Sequence, residues 1–189
     1  MPFRENMIYN AEDCRHLQLE EQEYENCTFN HCDLSNGSFY AAKFIDCAFN
    51  DCNLSLVKLT GTTFRDVKFT GSKMLGLLFE DCSKFGLSFS FDHCILNHSS
   101  FYKTKLKKTI FKHSQLQETD FTECDLTAAV FDDCDFFNAK FANTILEKAD
   151  LRTAYNYSID PEINKIKQAK FSVHGIAGLL HKYNIVIEQ

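Results

Sequence analysis

Residues 27–54 read CTFNHCDLSNGSFYAAKFIDCAFNDCNL, and a large apolar residue returns at every fifth place: Phe29, Leu34, Phe39, Phe44, Phe49 and Leu54. Outward from this stretch the series begins at Tyr24 and continues through Leu59, Phe64, Phe69 and Met74 to Phe79. It resumes at Phe91 and passes through Leu96, Phe101, Leu106, Phe111, Leu116, Phe121, Leu126, Phe131, Phe136, Phe141 and Leu146 to Leu151. Two places before nearly every anchor stands a small residue, for example Cys27, Cys32, Gly37, Ala42, Thr62, Ser99, Thr119 and Ala149. A period of five suits neither a helix, which repeats near 3.6, nor a flat strand, which repeats at 2. On a helix such anchors would advance about 140° each and circle the surface. The pattern closes if the chain turns a corner every five residues. Four sides then make a square coil of twenty residues, and each anchor stacks on the anchor one coil later, as Tyr24, Phe44 and Phe64 would. The small residue also points inward, and the other three places face water.

The pentads CTFNH, CDLSN, CAFND, CNLSL, CDLTA and AVFDD resemble the pentapeptide-repeat family over roughly residues 20 to 155. That resemblance implies a right-handed quadrilateral β-helix, an all-β solenoid. The expected division is a repeat domain over 1–158 and a C-terminal capping and dimerisation module over 159–189. Residues 1–18 leave the period and are expected to cap the open first coil, because a solenoid's terminal rung must be covered. The C-terminal SVHGIAGLLHKY has an N-cap serine and an apolar face of Val173, Ile176, Leu179 and Leu180, which predicts a short helix. The β-branched tail with Ile185 and Ile187 predicts a final strand. Such a face would leave apolar groups uncovered on one chain, and a two-fold dimer covers them.

Between Phe79 and Phe91 twelve residues stand where ten are due. EDCSKFGLSFSF (80–91) puts Lys84 at the missing anchor with Phe85 beside it. Two readings are open: a loop that projects and binds, or an irregularity with Phe85, Phe89 and Phe91 still inside. The break, GSKMLGLLF before it, FDHCILNHSSFY after it and the ending IDPEINKIKQAKFS are together similar to the topoisomerase-protecting group, the Qnr, MfpA and AlbG proteins. The resemblance implies a rod-shaped homodimer that engages DNA gyrase or topoisomerase IV, in some accounts as a mimic of duplex DNA, and protects it from inhibitors. A scaffold for an unrelated partner is the competing reading. The candidate partner-binding residues are Asp46, Asp66, Glu80, Asp81, Lys84 and Phe85.

Composition narrows the chemistry. The net charge of −6 falls wholly within residues 1–66, which hold eleven acidic and five basic residues. An acidic surface disfavours direct nucleic-acid binding. No nucleophile motif, phosphate loop or dinucleotide turn occurs, and seven glycines give little material for one, so neither enzyme activity nor a cofactor is expected. Seven of nine cysteines (27, 32, 47, 52, 94, 124 and 134) take the small inward place, where they read as reduced, buried hydrophobes. Cys27/Cys47 and Cys32/Cys52 would lie one rung apart, yet a cytosolic thiol stays reduced. Cysteine spacing gives no metal finger, so no metal is expected. His93 and His98 would face successive sides. The charged start MPFRENMIYN and the lack of an apolar run of spanning length predict a cytoplasmic protein without a membrane segment.

Overall fold

The computed structural model describes residues 2–14 and 17–188; Arg15 and His16, inside the expected cap, lie outside the described residues together with Met1 and Gln189. The twenty-residue step is realised as parallel strand pairing. Tyr24 pairs with Phe44 and Phe44 with Phe64; on the next side Phe29 pairs with Phe49 and Phe49 with Phe69. Strands Phe3–Glu5, Glu23–Glu25, Lys43–Ile45 and Thr63–Arg65 form one sheet. A second, of nine strands among the described residues, runs from Ile8–Tyr9 to Lys170–Phe171. Single bridges at the same step hold the other two sides, such as Asp33 to Asn53 and Ser38 to Lys58. The molecule is a quadrilateral β-helix, as the period requires.

Each corner is made by one residue with left-handed backbone, two places after the anchor. Asn26, Asp46, Asp66, Asn138 and Asn143 are corners with φ between 50° and 56°. Short polar side chains tolerate this region best. Leu56, Ala128 and Lys148 occupy it too, at φ 58° to 60°. The rung above and below therefore imposes the conformation where the residue alone would not choose it.

Inside, the rings repeat with the rungs. Phe29 and Phe49 are 4.6 Å apart and nearly parallel, and Phe121 lies 5.2 Å from Phe101 and 5.3 Å from Phe141. These are offset stacks at a spacing close to that of hydrogen-bonded strands. At most of the small places the polar groups find partners, Gln22 Oε1 before Tyr24 being an exception. Thr62 and Thr144 donate from Oγ1 to the carbonyls of Phe39 and Phe121, each at 2.8 Å. Cys52 Sγ donates to the Phe29 carbonyl at 3.3 Å.

The break is a loop, and only part of it stays inside. Ser83 N donates to the Thr62 carbonyl and Ser88 N to the Phe64 carbonyl, so the chain leaves and rejoins the coil at those points. Between them Phe85 turns into solvent, 90% exposed. Phe89 stands at the small place before Phe91, yet it is buried against Phe64, Phe79 and Phe91. It fills the core volume left by the missing anchor from the neighbouring side.

Both ends depart from the sequence reading. The first coil already begins at Phe3, in register with Glu23, so the cap is narrower than residues 1–18. The third side is replaced by the short α-helix Ala11–Cys14. That helix brings Cys14 over the third side, where it forms a disulfide with Cys32 across a Cα separation of 5.7 Å. The expectation of uniformly reduced thiols is corrected here. Cys14 lies off the five-residue grammar, and only the helix places it beside Cys32; neither pair weighed by spacing is bonded. At the other end the coil runs past 158 to Phe171, which pairs with Leu151. Buried Asn164 takes the small place and donates to the Phe141 and Asp160 carbonyls. The expected helix is two 3-10 turns, Ile176–Leu179 and His181–Tyr183. Gly178 is needed there because any side chain would collide with Tyr157. Residues 184–188 form no strand, since the last paired strand, Lys170–Phe171, lies before these turns.

Phe121→Ala and Phe89→Ala are each expected to cost about 3–5 kcal/mol in urea unfolding, as buried aromatics do. A loss below about 1 kcal/mol for Phe121→Ala would place that ring outside the core. Burial pushes the thiols of Cys47, Cys124 and Cys134 up to about 12 and those of Cys52 and Cys94 up to about 11. The unfolded chain releases these protons above the ordinary value of 9.0, whereas the folded chain holds them until about 11 to 12. Stability is therefore complete below that ordinary value and lost as pH rises through the folded values. The urea midpoint should fall between about pH 8 and pH 10, and less steeply in Cys124→Ala. A flat profile would mean that the thiols are solvated.

Candidate interaction surface

The break loop carries the most exposed large apolar side chain of the described residues, Phe85. The rod turns its anchor phenylalanines inward, and Phe85 stands farther out than the half-exposed Phe3 and Phe137. Lysines line the clefts beside the loop. Lys84, Lys103 and Lys105 line a cavity of about 330 Å³ with Glu80, Cys82, Gly86 and Leu87. Lys68, Lys107 and Lys108 line an adjoining groove with Leu87, Ser88 and Phe89. Lys103 pairs with Glu123 at 3.5 Å and Lys107 with Asp125 at 3.2 Å. Among the described residues the other four make no ion pair, and Asp66 and Glu80 line the same groove and cavity.

The sequence-predicted acids scatter around this feature. Asp46 is exposed at its corner. Asp66 is occupied: Ser88 Oγ donates to Asp66 Oδ1 at 2.9 Å, while Asp66 N donates to Ser88 Oγ at 2.7 Å, which ties down the loop's far end. Glu80 is turned inward, its Oε1 accepting from Ser100 Oγ at 2.7 Å. Asp81 is exposed beside the loop. So Lys84, Phe85 and Asp81 are brought together, Asp66 serves as a structural anchor, and Asp46 stands apart. The five additional lysines escaped sequence reading because they come from other coils. Wrapping the chain at twenty residues with a two-residue jump at the break would have aligned them.

At the C-terminal end Val173, Ile176, Ile185 and Ile187 are exposed, together with Val186. Leu180 is half-buried, and Leu179 packs against the core and leaves the free face. Lys182 holds the last turn to Asp160 at 2.8 Å, and Tyr183 donates to Glu162. The Asp160 carboxyl is held below its ordinary value by the Lys182 hydrogen bond. Beside this face an open cavity of about 530 Å³ is lined by Arg152, Asn156, Tyr157, His174 and His181. No described helix is long and apolar enough to cross a membrane.

The sequence pattern of a pentapeptide repeat region matches residues 22–90 and 87–154. No curated protein matches the chain. Among solved structures, a trypsin-treated form of QnrB1, a plasmid-mediated fluoroquinolone resistance protein, is 18% identical over 99% of this chain and 98% of its own, with a TM-score of 0.46. HetL, a pentapeptide repeat protein involved in heterocyst differentiation regulation in the cyanobacterium Nostoc, is 13% identical over 89% of this chain and 84% of its own, with a TM-score of 0.36.

Proposed function

From the premise that this chain belongs to the pentapeptide-repeat family, we propose that it is a non-catalytic interaction rod, paired through its C-terminal module, whose partner is a type II topoisomerase, DNA gyrase or topoisomerase IV. The observation that carries the reading is Phe85. An aromatic side chain held 90% exposed on a projecting loop has no role in the core. Aromatic side chains are enriched at protein–protein interfaces relative to the rest of a surface. The topoisomerase partner rests on the resemblance of the break and the C-terminal ending to the topoisomerase-protecting group. The acidic N-terminal coils are the part of the rod that suits a surface built for duplex DNA. Protection from inhibitors would follow from occupying that surface.

The lysine collar favours a second reading. It repels a DNA-binding surface and attracts an acidic one, so the loop and the N-terminal coils suit different parts of a partner, or different partners. In that case the rod is a scaffold for an acidic protein.

In a supercoiling assay, rising protein should inhibit gyrase or relieve a cleavage-stabilising inhibitor. Phe85→Ala should abolish the effect without loss of fold, and affinity should fall with salt, since exposed charges are screened over about 8 Å at physiological ionic strength. Asp46→Lys should weaken it through association rate, and Lys84→Glu with Lys105→Glu should weaken only the scaffold interaction. No change in either activity at large excess would remove the topoisomerase reading. The pairing is tested separately: sedimentation should give about twice 21.8 kDa, and Ile176→Asp should give the monomer. A monomeric wild type would end the dimer proposal.

A further inference from the structure

Three side chains on one edge of the rod converge on a point that none of the surfaces above uses. Asp92 ends strand Phe89–Asp92, and His93 follows it at the corner. His113 holds the same corner one coil later, and both histidines have left-handed backbone, at φ 53° and 46°. The shared backbone stacks their imidazoles, with ring centres 4.5 Å apart and planes 26° from parallel. Both Nδ1 atoms then face one oxygen: Asp92 Oδ1 lies 2.7 Å from His93 Nδ1 and 3.2 Å from His113 Nδ1. Ligand atoms of the three residues all lie within 4.8 Å of one another.

We propose that Asp92, His93 and His113 form a binding site for a divalent transition-metal ion of the imidazole-preferring class, represented by Zn²⁺. Ligand bonds of about 2.0–2.1 Å in a tetrahedral site put donor atoms roughly 3.3 Å apart. The two contacts to Asp92 reach that spacing with side-chain shifts of less than about 1 Å. Two nitrogens and one carboxylate oxygen select zinc, nickel or copper over magnesium and calcium, which take oxygen. An ionised carboxylate only accepts, so each Nδ1 that bonds to it carries a proton. Coordination through Nδ1 needs the other tautomer, so each ring carries its proton on Nε2 when the ion is bound and Nδ1 gives its lone pair to the metal. The Asp92 carboxylate supplies the negative charge that such an ion needs.

The surroundings are mixed in charge and lean acidic. Lys112 stands beside Asp92 in the strand register and opposes a cation. Asp132 follows Lys112 and accepts from Thr153, and Asp133 takes the corner after His113. On the other side Gly71 leaves its corner without a side chain, and the Asp51 carboxylate occupies that space. The free thiols are buried and do not compete for the ion. The three ligands are about half exposed, which leaves coordination positions for water or for a donor from outside. The absence of metal expected from cysteine spacing does not bear on this cluster, which has no cysteine. Its signal is the twenty-residue interval between two corner histidines.

Tag-free, chelator-treated protein is titrated with zinc chloride by calorimetry and followed by the ¹⁵N shifts of the histidine rings. One equivalent should bind, shifting the Nδ1 signals of His93 and His113 and raising the melting temperature. His93→Asn and His113→Asn should each lower affinity by about tenfold or more, asparagine being a residue that keeps the left-handed corner. His31→Asn and His98→Asn, at corners of the same backbone, should leave affinity unchanged. The proposal is overturned if the wild type shows no saturable binding, if the shifted rings are other histidines, if binding survives in the double variant, or if Mg²⁺ competes equally.

Discussion

The structure depends on one constraint, the hydrogen-bonded register that sets every coil on the next at twenty residues. Parallel strands sit about 4.8 Å apart, and flat rings pack best at nearly the same distance. Backbone and core therefore ask for the same spacing, and neither has to yield. The column from Phe101 through Phe121 to Phe141 shows the agreement, with successive centres 5.2 and 5.3 Å apart. Each rung covers the apolar groups of the one before it, so stability accumulates by nearest neighbours.

That register also governs residues that would otherwise choose differently. Leu56, Ala128 and Lys148 take left-handed corners because the coils on either side fix both ends of the turn. Phe89 enters a place normally reserved for a cysteine, an alanine or a serine because the side that lost its anchor has room for a ring. In both cases the column decides and the residue complies.

The same repetition makes the outside of the rod an array. Equivalent outward places recur every twenty residues, so unlike charges meet as Lys103 meets Glu123, and like groups stack as His93 stacks on His113. A surface feature here is a column of residues far apart in sequence. Against this array stand out the loop with Phe85 and the exposed apolar end with Val173 and Ile176, and within it the corner where Asp92, His93 and His113 meet.

The coil was legible in the sequence because a five-residue period is a local property: it names the inward residue, the small residue and the corner without knowledge of any partner strand. The break at 80–91 and the apolar ending were legible for the same reason, as departures from the period. What the sequence left open was set by contacts between coils. Whether Phe85 or Phe89 fills the gap depends on the free volume between Phe64 and Phe79, which no local pattern records. The pairing of Cys14 with Cys32 needed the helix that carries one to the other. The extension of the coil to Phe171 needed Asn164 to replace a small apolar residue with hydrogen bonds to the chain around it. Asp66 and Glu80 looked like free surface charge until Ser88 and Ser100 were found bonded to them, and the lysines around the loop became a patch only once separate coils were stacked. Periodicity determines where a side chain points; the neighbouring coil determines what it meets.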